Sequence, residues 1–215
     1  MSTVTALLCA TDSRVALWRL AGTPLVVHAA RMLAGCGSLE RILVAGDPAV
    51  CVAVAADLPD MTVIPVADGP LAALRIVASD TNTGANTGTD VVVIHEAARA
   101  LAPVELLRAT IATVRAGAEV AVPVTVVSDT IKRIADDGTI LSTVDRNTLR
   151  AVQAPYCFDR KAVNRLLANG SDSEVPWQLA ASLTTVPGHP DAFAIDGPAA
   201  RRLAGRVLAR RSDRA

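Results

Sequence analysis

The chain has 215 residues, 21 basic and 21 acidic side chains, and 51% apolar composition. This is enough length and apolar content for one compact domain with a sizeable core, which we place over residues 1–215. A formal charge of zero and 2% aromatic residues argue against a nucleic-acid partner. No apolar run reaches the roughly 20 residues of a membrane helix, so we expect no membrane partner.

The start "MSTVTALLCATD" lacks the basic region and cleavage site of a secretory signal, and we expect a cytoplasmic protein. The four cysteines form no C-x-x-C pair and have no histidine cluster beside them. The sequence therefore predicts reduced thiols and neither a zinc site nor a disulfide framework.

Short β-branched runs alternate with longer segments rich in alanine and leucine. In chain order the pairs are "TVTALLCA" and "PLVVHAARMLAG", "RILVAG" and "AVCVAVAADL", "MTVIPV" and "GPLAALRIVAS", then "DVVVIH" and "APVELLRATIATVRAG", with "EVAVPV" after them. Strands that are apolar along their whole length, each followed by a helix, predict a doubly wound α/β fold with a mostly parallel sheet.

Three segments depart from this alternation. Residues 79–90 are rich in Gly, Asn and Thr, which predicts a polar loop. Residues 126–149 contain two β-prone runs around "DDG", which predicts a hairpin arm that projects from the sheet. The end of the chain predicts a terminal helix, with Asp196 as its cap and Pro198 in its first turn.

The stretch "DVVVIHEAARAL" places His95, Glu96 and Arg99 at the end of the fourth predicted strand. In parallel sheets ligands bind beyond the carboxyl ends of the strands. A carboxylate there can hold Mg²⁺, and an arginine can bind phosphate through two N–H groups. A structural ion pair is the alternative for Glu96 and Arg99, and a hydrogen-bonded packing role is favoured for His95.

The hairpin arm carries charged and hydroxyl side chains on both predicted strands. They are Thr130, Lys132, Arg133, Asp145 and Arg146. A solvated face is the ordinary explanation for such residues, whereas an anionic ligand is the functional one.

These motifs resemble those of the 2-C-methyl-D-erythritol 4-phosphate cytidylyltransferase family. "VVVIHEAARAL" is similar to its Val-His-Asp-Ala-Ala-Arg-Pro motif. "DTIKR", "TVDR" and "QAPYCF" are similar to its Asp-Thr-Ile-Lys-Arg, Thr-x-Asp-Arg and Gln-Thr-Pro-Gln-x-Phe motifs. The resemblance implies transfer of CMP from CTP to methylerythritol phosphate, with Mg²⁺, in the non-mevalonate route to isoprenoids.

The resemblance also implies roles for single residues. Arg99 would face the phosphates, and Glu96, which stands where the family has aspartate, would lie near the reacting groups and the metal. Thr130 and Arg146 would bind the sugar-alcohol phosphate in the partner subunit of a homodimer, with Lys132 completing the arm motif. The arm would therefore reach over the partner's pocket.

The nucleotide side departs from the family's motifs. The glycine-rich loop Ala-Ala-Gly-x-Gly-x-Arg-Met is reduced to "LLCATDSRVALWRLAG", in which Cys9, Ala10 and Thr11 are the candidate nucleotide-binding residues. Arg14 is the candidate catalytic cation, and Arg19 is the alternative replacement for the family's loop lysine. A second nucleotide segment is reduced to "VADGPLAAL", with Asp68 and Gly69 as candidates. Asp12 introduces a negative charge into the loop, and two family positions have become alanine. These are Ala154, where the family has threonine, and Ala194, where it has lysine.

Two functions follow from this pattern. The first is an active cytidylyltransferase. The second is a catalytically silent homologue that acts as a sugar-phosphate-binding or regulatory dimer. A dinucleotide-dependent oxidoreductase is disfavoured because no G-x-G-x-x-G follows the first strand.

Overall fold

An eight-stranded sheet forms the centre of the computed structural model, which describes residues 3–10, 12–59, 61–65, 72–75, 89–169 and 183–213. The strands are β1 (Thr3–Ala10), β2 (Arg19–Leu20), β3 (Thr23–Pro24), β4 (Arg41–Gly46), β5 (Thr62–Pro65), β6 (Thr89–Glu96), β7 (Val120–Val126), β8 (Lys132–Ile134), β9 (Ile140–Thr143), β10 (Arg150–Val152), β11 (Tyr156–Asp159) and β12 (Thr184–Pro187). The helices are α1 (Ser13–Ala16), α2 (Leu25–Ala34), α3 (Pro48–Asp57), α4 (Val104–Arg115), α5 (Arg160–Asn169) and α6 (Pro198–Ser212).

The central sheet has the order β10-β7-β11-β6-β1-β4-β5, and β12 also pairs with β7. Strand β1 is parallel to β4 and β6, and β5 is parallel to β4. Strands β10 and β11 run antiparallel to β7, and β11 is also antiparallel to β6. The predicted mostly parallel α/β fold is confirmed, with an antiparallel insertion at one side of the sheet.

Side chains of β1 alternate between two cores on opposite faces of the sheet. Val4, Ala6, Leu8 and Ala10 belong to the core beneath α2, α3, α4 and α6. Leu7 and Cys9 belong to the other core, which α5 and residues 72–75 cover. This alternation follows from the two-residue period of a strand, and it places the side chain of Cys9 on the α5 face.

The helices begin and end where local chemistry directs. In α3 the Asp47 side chain accepts a hydrogen bond from the Val50 N–H at 3.0 Å, and Pro48 occupies the first turn. In α6, Gly197 and not Asp196 is the N-cap residue, and no side chain caps the helix. The predicted cap was therefore wrong by one position, although the helix and the place of Pro198 are confirmed.

The predicted hairpin arm is confirmed as a separate two-stranded antiparallel sheet of β8 and β9. Its turn contains Gly138 at φ +86°, and the Asp137 side chain accepts a hydrogen bond from the Thr139 N–H at 2.9 Å. The arm continues from the β7–β10 ladder, in which Arg150 pairs with Val126. The predicted polar loop ends before Thr89, where β6 begins, and residues 79–88 lie outside the described residues.

All four cysteines are free thiols, as predicted. Within the described parts of the chain, no helix has both the length and the apolar character needed to cross a bilayer.

Candidate active site at the end of β6

The candidate site lies where the parallel strands β1, β4 and β6 end side by side. In the sheet register Cys9 pairs with Glu96, and Ala10 pairs with Gly46. A Cβ atom on Gly46 would lie 2.6 Å from Val50 Cγ1 and 3.3 Å from the Ala10 carbonyl oxygen, so this edge requires glycine. The strands thus bring Glu96 to the loop that follows β1.

Glu96 accepts hydrogen bonds through both carboxylate oxygens. Arg99 Nε donates to Glu96 Oε2 at 3.0 Å, and the Tyr156 hydroxyl donates to Glu96 Oε1 at 3.0 Å. A 3₁₀ turn over Ala97–Arg99 brings residues 96 and 99 to the same side. The Glu96 side chain remains 35% exposed and that of Arg99 17% exposed, so the pair faces solvent in part.

Arg99 is anchored by backbone as well as by Glu96. Its Nη1 donates to the Ala192 carbonyl at 2.8 Å and its Nη2 to the Val152 carbonyl at 3.3 Å. Because a guanidinium has five N–H donors, two of those on Arg99 lack a partner among the described residues. The anchored side chain can therefore still bind an anion.

Gln153 holds the segment that supports Arg99. Its Nε2 donates to the His189 carbonyl at 3.0 Å, and its Oε1 accepts from the His189 N–H at 2.9 Å. Gly188 makes room for this pairing, since a Cβ there would lie 2.4 Å from Gln153 Oε1. The Ala192 carbonyl is thereby fixed opposite Arg99.

Burial keeps two neighbours of Glu96, the Tyr156 hydroxyl and the Cys9 thiol, uncharged. It raises the pKa of the Tyr156 hydroxyl and of the Cys9 thiol, and the negative charge of Glu96 raises both further. Tyr156 is therefore a hydrogen-bond donor and Cys9 is not a thiolate nucleophile.

His95 is fully buried, and burial followed by the charge of Arg99 lowers its pKa to about 3. Neither ring nitrogen has a geometrically acceptable hydrogen bond among the described residues. The expected packing role fits this burial, and a weak contact with the Arg99 backbone opposes part of the pKa shift.

In the loop after β1, the Asp12 carboxylate uses backbone N–H groups of the loop itself. Asp12 Oδ1 accepts from the N–H groups of Arg14 and Val15 at 3.1 and 3.4 Å, and it lies 3.5 Å from Arg14 Nε. The Arg14 side chain is 89% exposed. A second carboxylate, Asp47, has its pKa lowered by the Ser13 side chain first and then by the Val50 N–H.

The arm residues lie in or next to the separate β8–β9 sheet, whereas Glu96 ends a strand of the central sheet. Thr130, Lys132 and Arg146 are all exposed. Lys132 Nζ donates to Thr143 Oγ1 at 2.7 Å, and Arg146 Nη1 donates to the Ser128 carbonyl at 2.6 Å. Within one chain they face solvent.

The remaining nucleotide candidates divide between buried and undescribed positions. Cys9 and Ala10 are buried at the end of β1, where only their backbone can reach a ligand. Thr11, Asp68 and Gly69 lie outside the described residues. Ala194 is beside the site, because the N–H of the next residue, Ile195, donates to the Ala98 carbonyl at 2.8 Å.

Comparisons with known proteins agree with this geometry. The family model of 2-C-methyl-D-erythritol 4-phosphate cytidylyltransferase matches residues 9–208. The chain belongs to this family. A relative of that name from Streptomyces avermitilis is 34% identical, with 91% of this chain and 84% of the relative covered. One from Frankia casuarinae is 35% identical, with 91% and 74% covered.

Solved structures agree in fold. A 4-diphosphocytidyl-2C-methyl-D-erythritol synthase from Anaerococcus prevotii gives a TM-score of 0.79 at 18% identity, covering 97% of this chain and 96% of that one. A 2-C-methyl-D-erythritol 4-phosphate cytidylyltransferase from Thermus thermophilus gives 0.70 at 21% identity, covering 95% and 98%.

Sequence reasoning missed two contacts at positions that depart from the motifs of the cytidylyltransferase family. Tyr156 stands where the family motif has glutamine, and its hydroxyl binds the glutamate that replaces aspartate at Glu96. Asp12 does not merely add charge to the loop; it also uses two backbone N–H groups. The first was signalled only by the departure of "APY" from Thr-Pro-Gln, and the second by the capping preference of aspartate.

Proposed function

We propose that this family member transfers CMP from CTP to 2-C-methyl-D-erythritol 4-phosphate or a related sugar-alcohol phosphate. The observation that carries the proposal is the Glu96–Arg99 pair, fixed at the end of β6 with two guanidinium N–H donors to spare. The names of the relatives at 34% and 35% identity support the choice of substrates.

In this reaction an oxygen of the acceptor phosphate forms a bond to the α-phosphorus of CTP. The bond from that phosphorus to the bridging oxygen breaks, and pyrophosphate leaves with the electron pair. Negative charge builds on the phosphoryl oxygens during the step. Donors held in place, such as the free N–H groups of Arg99, stabilise that charge without reorganisation.

The donor set fits Mg²⁺ only in company with the nucleotide. Among the described residues no group of three or more His, Cys, Asp or Glu side chains could hold a metal ion. Mg²⁺ is commonly bound by one carboxylate together with substrate phosphates, and each Glu96 oxygen retains a free lone pair. Glu96 would hold the ion, which would supply charge neutralisation to the triphosphate.

The acceptor phosphate would be bound by Thr130 and Arg146 from the arm of a second subunit, with Lys132 supporting them. An isolated two-stranded ribbon is marginal in water, and Ile134, Ile140 and Leu141 on this one are 60%, 63% and 60% exposed. These apolar side chains support a homodimer that buries them. Light scattering should give a dimer, and Leu141→Asp should shift the protein to monomer.

The second candidate is a silent homologue that binds sugar phosphate but not CTP. It is favoured by Asp12, whose carboxylate uses loop N–H groups that a triphosphate would need. Four free cysteines suit a reducing compartment, so we place the protein in the cytoplasm under both candidate functions.

Pyrophosphate release tests the two candidates. The purified chain with CTP, Mg²⁺ and the acceptor should release pyrophosphate, and Glu96→Gln should abolish release. Glu105→Gln is the matched control, because Glu105 forms a similar but exposed ion pair with Arg108 at 3.7 Å.

If no pyrophosphate is released, calorimetric titration with CTP and with the acceptor identifies which candidate is wrong. No release together with acceptor binding and no CTP binding supports the silent homologue. A protein that binds neither CTP nor the acceptor contradicts both candidates.

A further inference from the structure

Positive charge is concentrated on α6 although the chain as a whole is neutral. The helix contains five arginines and no acidic residue. Only Arg211 forms an ion pair among the described residues, with Asp191 at 2.7 Å. The other four guanidinium groups are therefore available to an anion from outside the chain.

Two of these arginines line a cavity of about 450 Å³ between the start of α6 and the β2–β3 turn. Arg201 and Arg202 line it from the helix, and Arg19 lines it from β2. Trp18 and Pro198 form apolar parts of its wall, and no acidic residue of the described part of the chain lines it. Three positive charges that line one partly apolar cavity repel one another, and water alone offsets this repulsion less well than a bound anion would.

The framework of this cavity is fixed by packing and backbone contacts. Leu20 is 4% exposed and Ala204 is fully buried, which seats α6 against β2. Arg201 Nη2 donates to the Arg19 carbonyl at 3.0 Å, and Arg19 Nη1 donates to the Gly22 carbonyl at 2.5 Å. Arg19 and Arg201 are preorganised by these contacts, and each of their guanidinium groups keeps further N–H donors for a ligand.

We infer that this cavity binds a phosphorylated small molecule, with its phosphate on Arg19, Arg201 and Arg202 and its apolar part against Trp18. Guanidinium groups bind phosphate oxygens through paired N–H donors, and a multiply charged phosphate needs more than one cation to offset its desolvation. Glu96 and Arg99 do not line this cavity, and the inference does not depend on the proposed function.

The volume of the cavity, about 450 Å³, is in the range of small-molecule pockets and favours a small molecule over a polyanion. A nucleic acid or an anionic membrane would contact the whole arginine row of α6, including Arg206 and Arg210, which lie outside the cavity. A small phosphate compound would contact only the arginines that line it. This difference provides a charge-matched control.

Trp18 is the natural reporter, since the chain has only one other tryptophan, Trp177. In the Trp177→Phe protein, pyrophosphate titrated at constant ionic strength should change the Trp18 fluorescence saturably at submillimolar concentration. Arg201→Ala with Arg202→Ala should weaken binding at least about tenfold, as expected for loss of two charge-assisted contacts. Arg206→Ala with Arg210→Ala should leave the affinity within about twofold.

Three results would overturn the inference. Absence of saturation at millimolar pyrophosphate means that no site exists, and equal weakening by both double variants means diffuse attraction to α6. Loss of the signal in Arg99→Ala means that the probe binds the candidate active site instead. If the first double variant does not fold, Arg202→Ala alone replaces it, because Arg202 makes no side-chain hydrogen bond or ion pair among the described residues.

Discussion

The environment of Glu96 is set by two side chains that approach it from different parts of the chain. Arg99 comes from the next turn, and Tyr156 comes from β11, whose register places it opposite Ile94 on β6. The tyrosine ring is buried and packs edge-on against Phe158, with 6.1 Å between ring centroids. Tyr156 therefore orients one carboxylate oxygen while Arg99 orients the other.

Removing this hydroxyl should have an effect that depends on Glu96. We expect Tyr156→Phe to lower the free energy of unfolding by about 1–2 kcal/mol, since a hydrogen bond to a charged group is lost while Glu96 stays partly hydrated. In a Glu96→Ala background the same change should be neutral or stabilising, because the hydroxyl then has no partner. Urea denaturation of the four proteins measures this coupling; equal losses in both backgrounds would contradict it.

His95 should make the stability depend on pH. Its folded pKa of about 3 lies below the unfolded value of about 6.5. Between these values the unfolded chain takes up a proton that the folded chain does not, so stability is complete above about pH 6.5 and falls as the pH decreases.

The loss between about pH 7 and about pH 5 should be roughly 2 kcal/mol from this group. His95→Leu should lack it, and urea denaturation at the two pH values measures the difference. His28→Leu is the control, because the His28 ring is only partly buried and is hydrogen-bonded to the Leu20 carbonyl at 2.9 Å. Identical pH dependence in wild type and His95→Leu would refute the assignment.

At the level of residues, sequence predicted the contacts that are close in the chain and missed those that are distant. Glu96 and Arg99 are three positions apart, so their pairing follows from local geometry. Tyr156 is 60 positions from Glu96, and their contact exists only because β11 enters the sheet beside β6. A single sequence contains no local signal for that pairing.

Among the secondary-structure elements, α1 has the greatest consequence for function. It is only four residues long, and its start is capped by Asp12 rather than left open. Aspartate is a strong capping residue, so the loop gains local stability from the same carboxylate that opposes a phosphate. If the loop binds the triphosphate as proposed, stability and nucleotide affinity are in conflict at Asp12.

This conflict predicts that Asp12→Asn raises the affinity for CTP. Asparagine keeps an oxygen for the N–H groups of Arg14 and Val15 but removes the charge. Loss of one nearby negative charge in a solvated site should improve binding about five- to tenfold. Isothermal calorimetry measures it, with Asp57→Asn as the control of equal charge change, since Asp57 is paired with Arg31 at the far end of α3.

An Asp12→Asn protein that binds CTP no better than the control would show that the loop carboxylate does not limit nucleotide binding. Asp12→Ala adds a second measurement. It should lose about 1 kcal/mol of stability through the missing cap while gaining CTP affinity in the same direction.

The helices and strands were largely predictable because apolar residues recur with a different period in each. Apolar residues of α4 recur at Leu107, Ile111 and Val114, which is helical spacing, whereas the middle of β6, residues 91–94, is continuously apolar. The antiparallel direction of β10 and β11 was not predictable, since a strand's side-chain pattern is the same in either direction. The cap of α6 was misplaced because Asp196 is the stronger capping residue, yet backbone geometry places Gly197 there.

For the whole molecule, the proposed acceptor-phosphate site draws on two parts of the chain, the body that holds Arg99 and the arm that carries Arg146. Arg99 is anchored at the body, where Val152 near the base of the arm accepts one of its hydrogen bonds. Arg146 lies on the arm and is exposed. If the proposed dimer exchanges arms, each pocket takes Arg99 from one subunit and Arg146 from its partner.

The last prediction tests this exchange with a mixed dimer of Arg99→Ala and Arg146→Ala subunits. Each homodimer lacks one of the two arginines in both pockets. In the mixed dimer one pocket lacks both, while the other combines an intact body with an intact arm. Because a two-fold interface makes the pockets equivalent, purified mixed dimers should bind sugar phosphate at about half the wild-type stoichiometry with wild-type affinity. Calorimetry on differentially tagged proteins after subunit exchange measures both quantities.

Lys161→Ala, paired in the same way with Arg99→Ala, is the control, because Lys161 is exposed on α5 and outside the arm. In that control a mixed dimer keeps one intact Arg99 and both copies of Arg146, and the Lys161→Ala homodimer binds fully. A mixed Arg99→Ala and Arg146→Ala dimer that binds no better than its parent homodimers would show that the arm does not act on the partner's pocket.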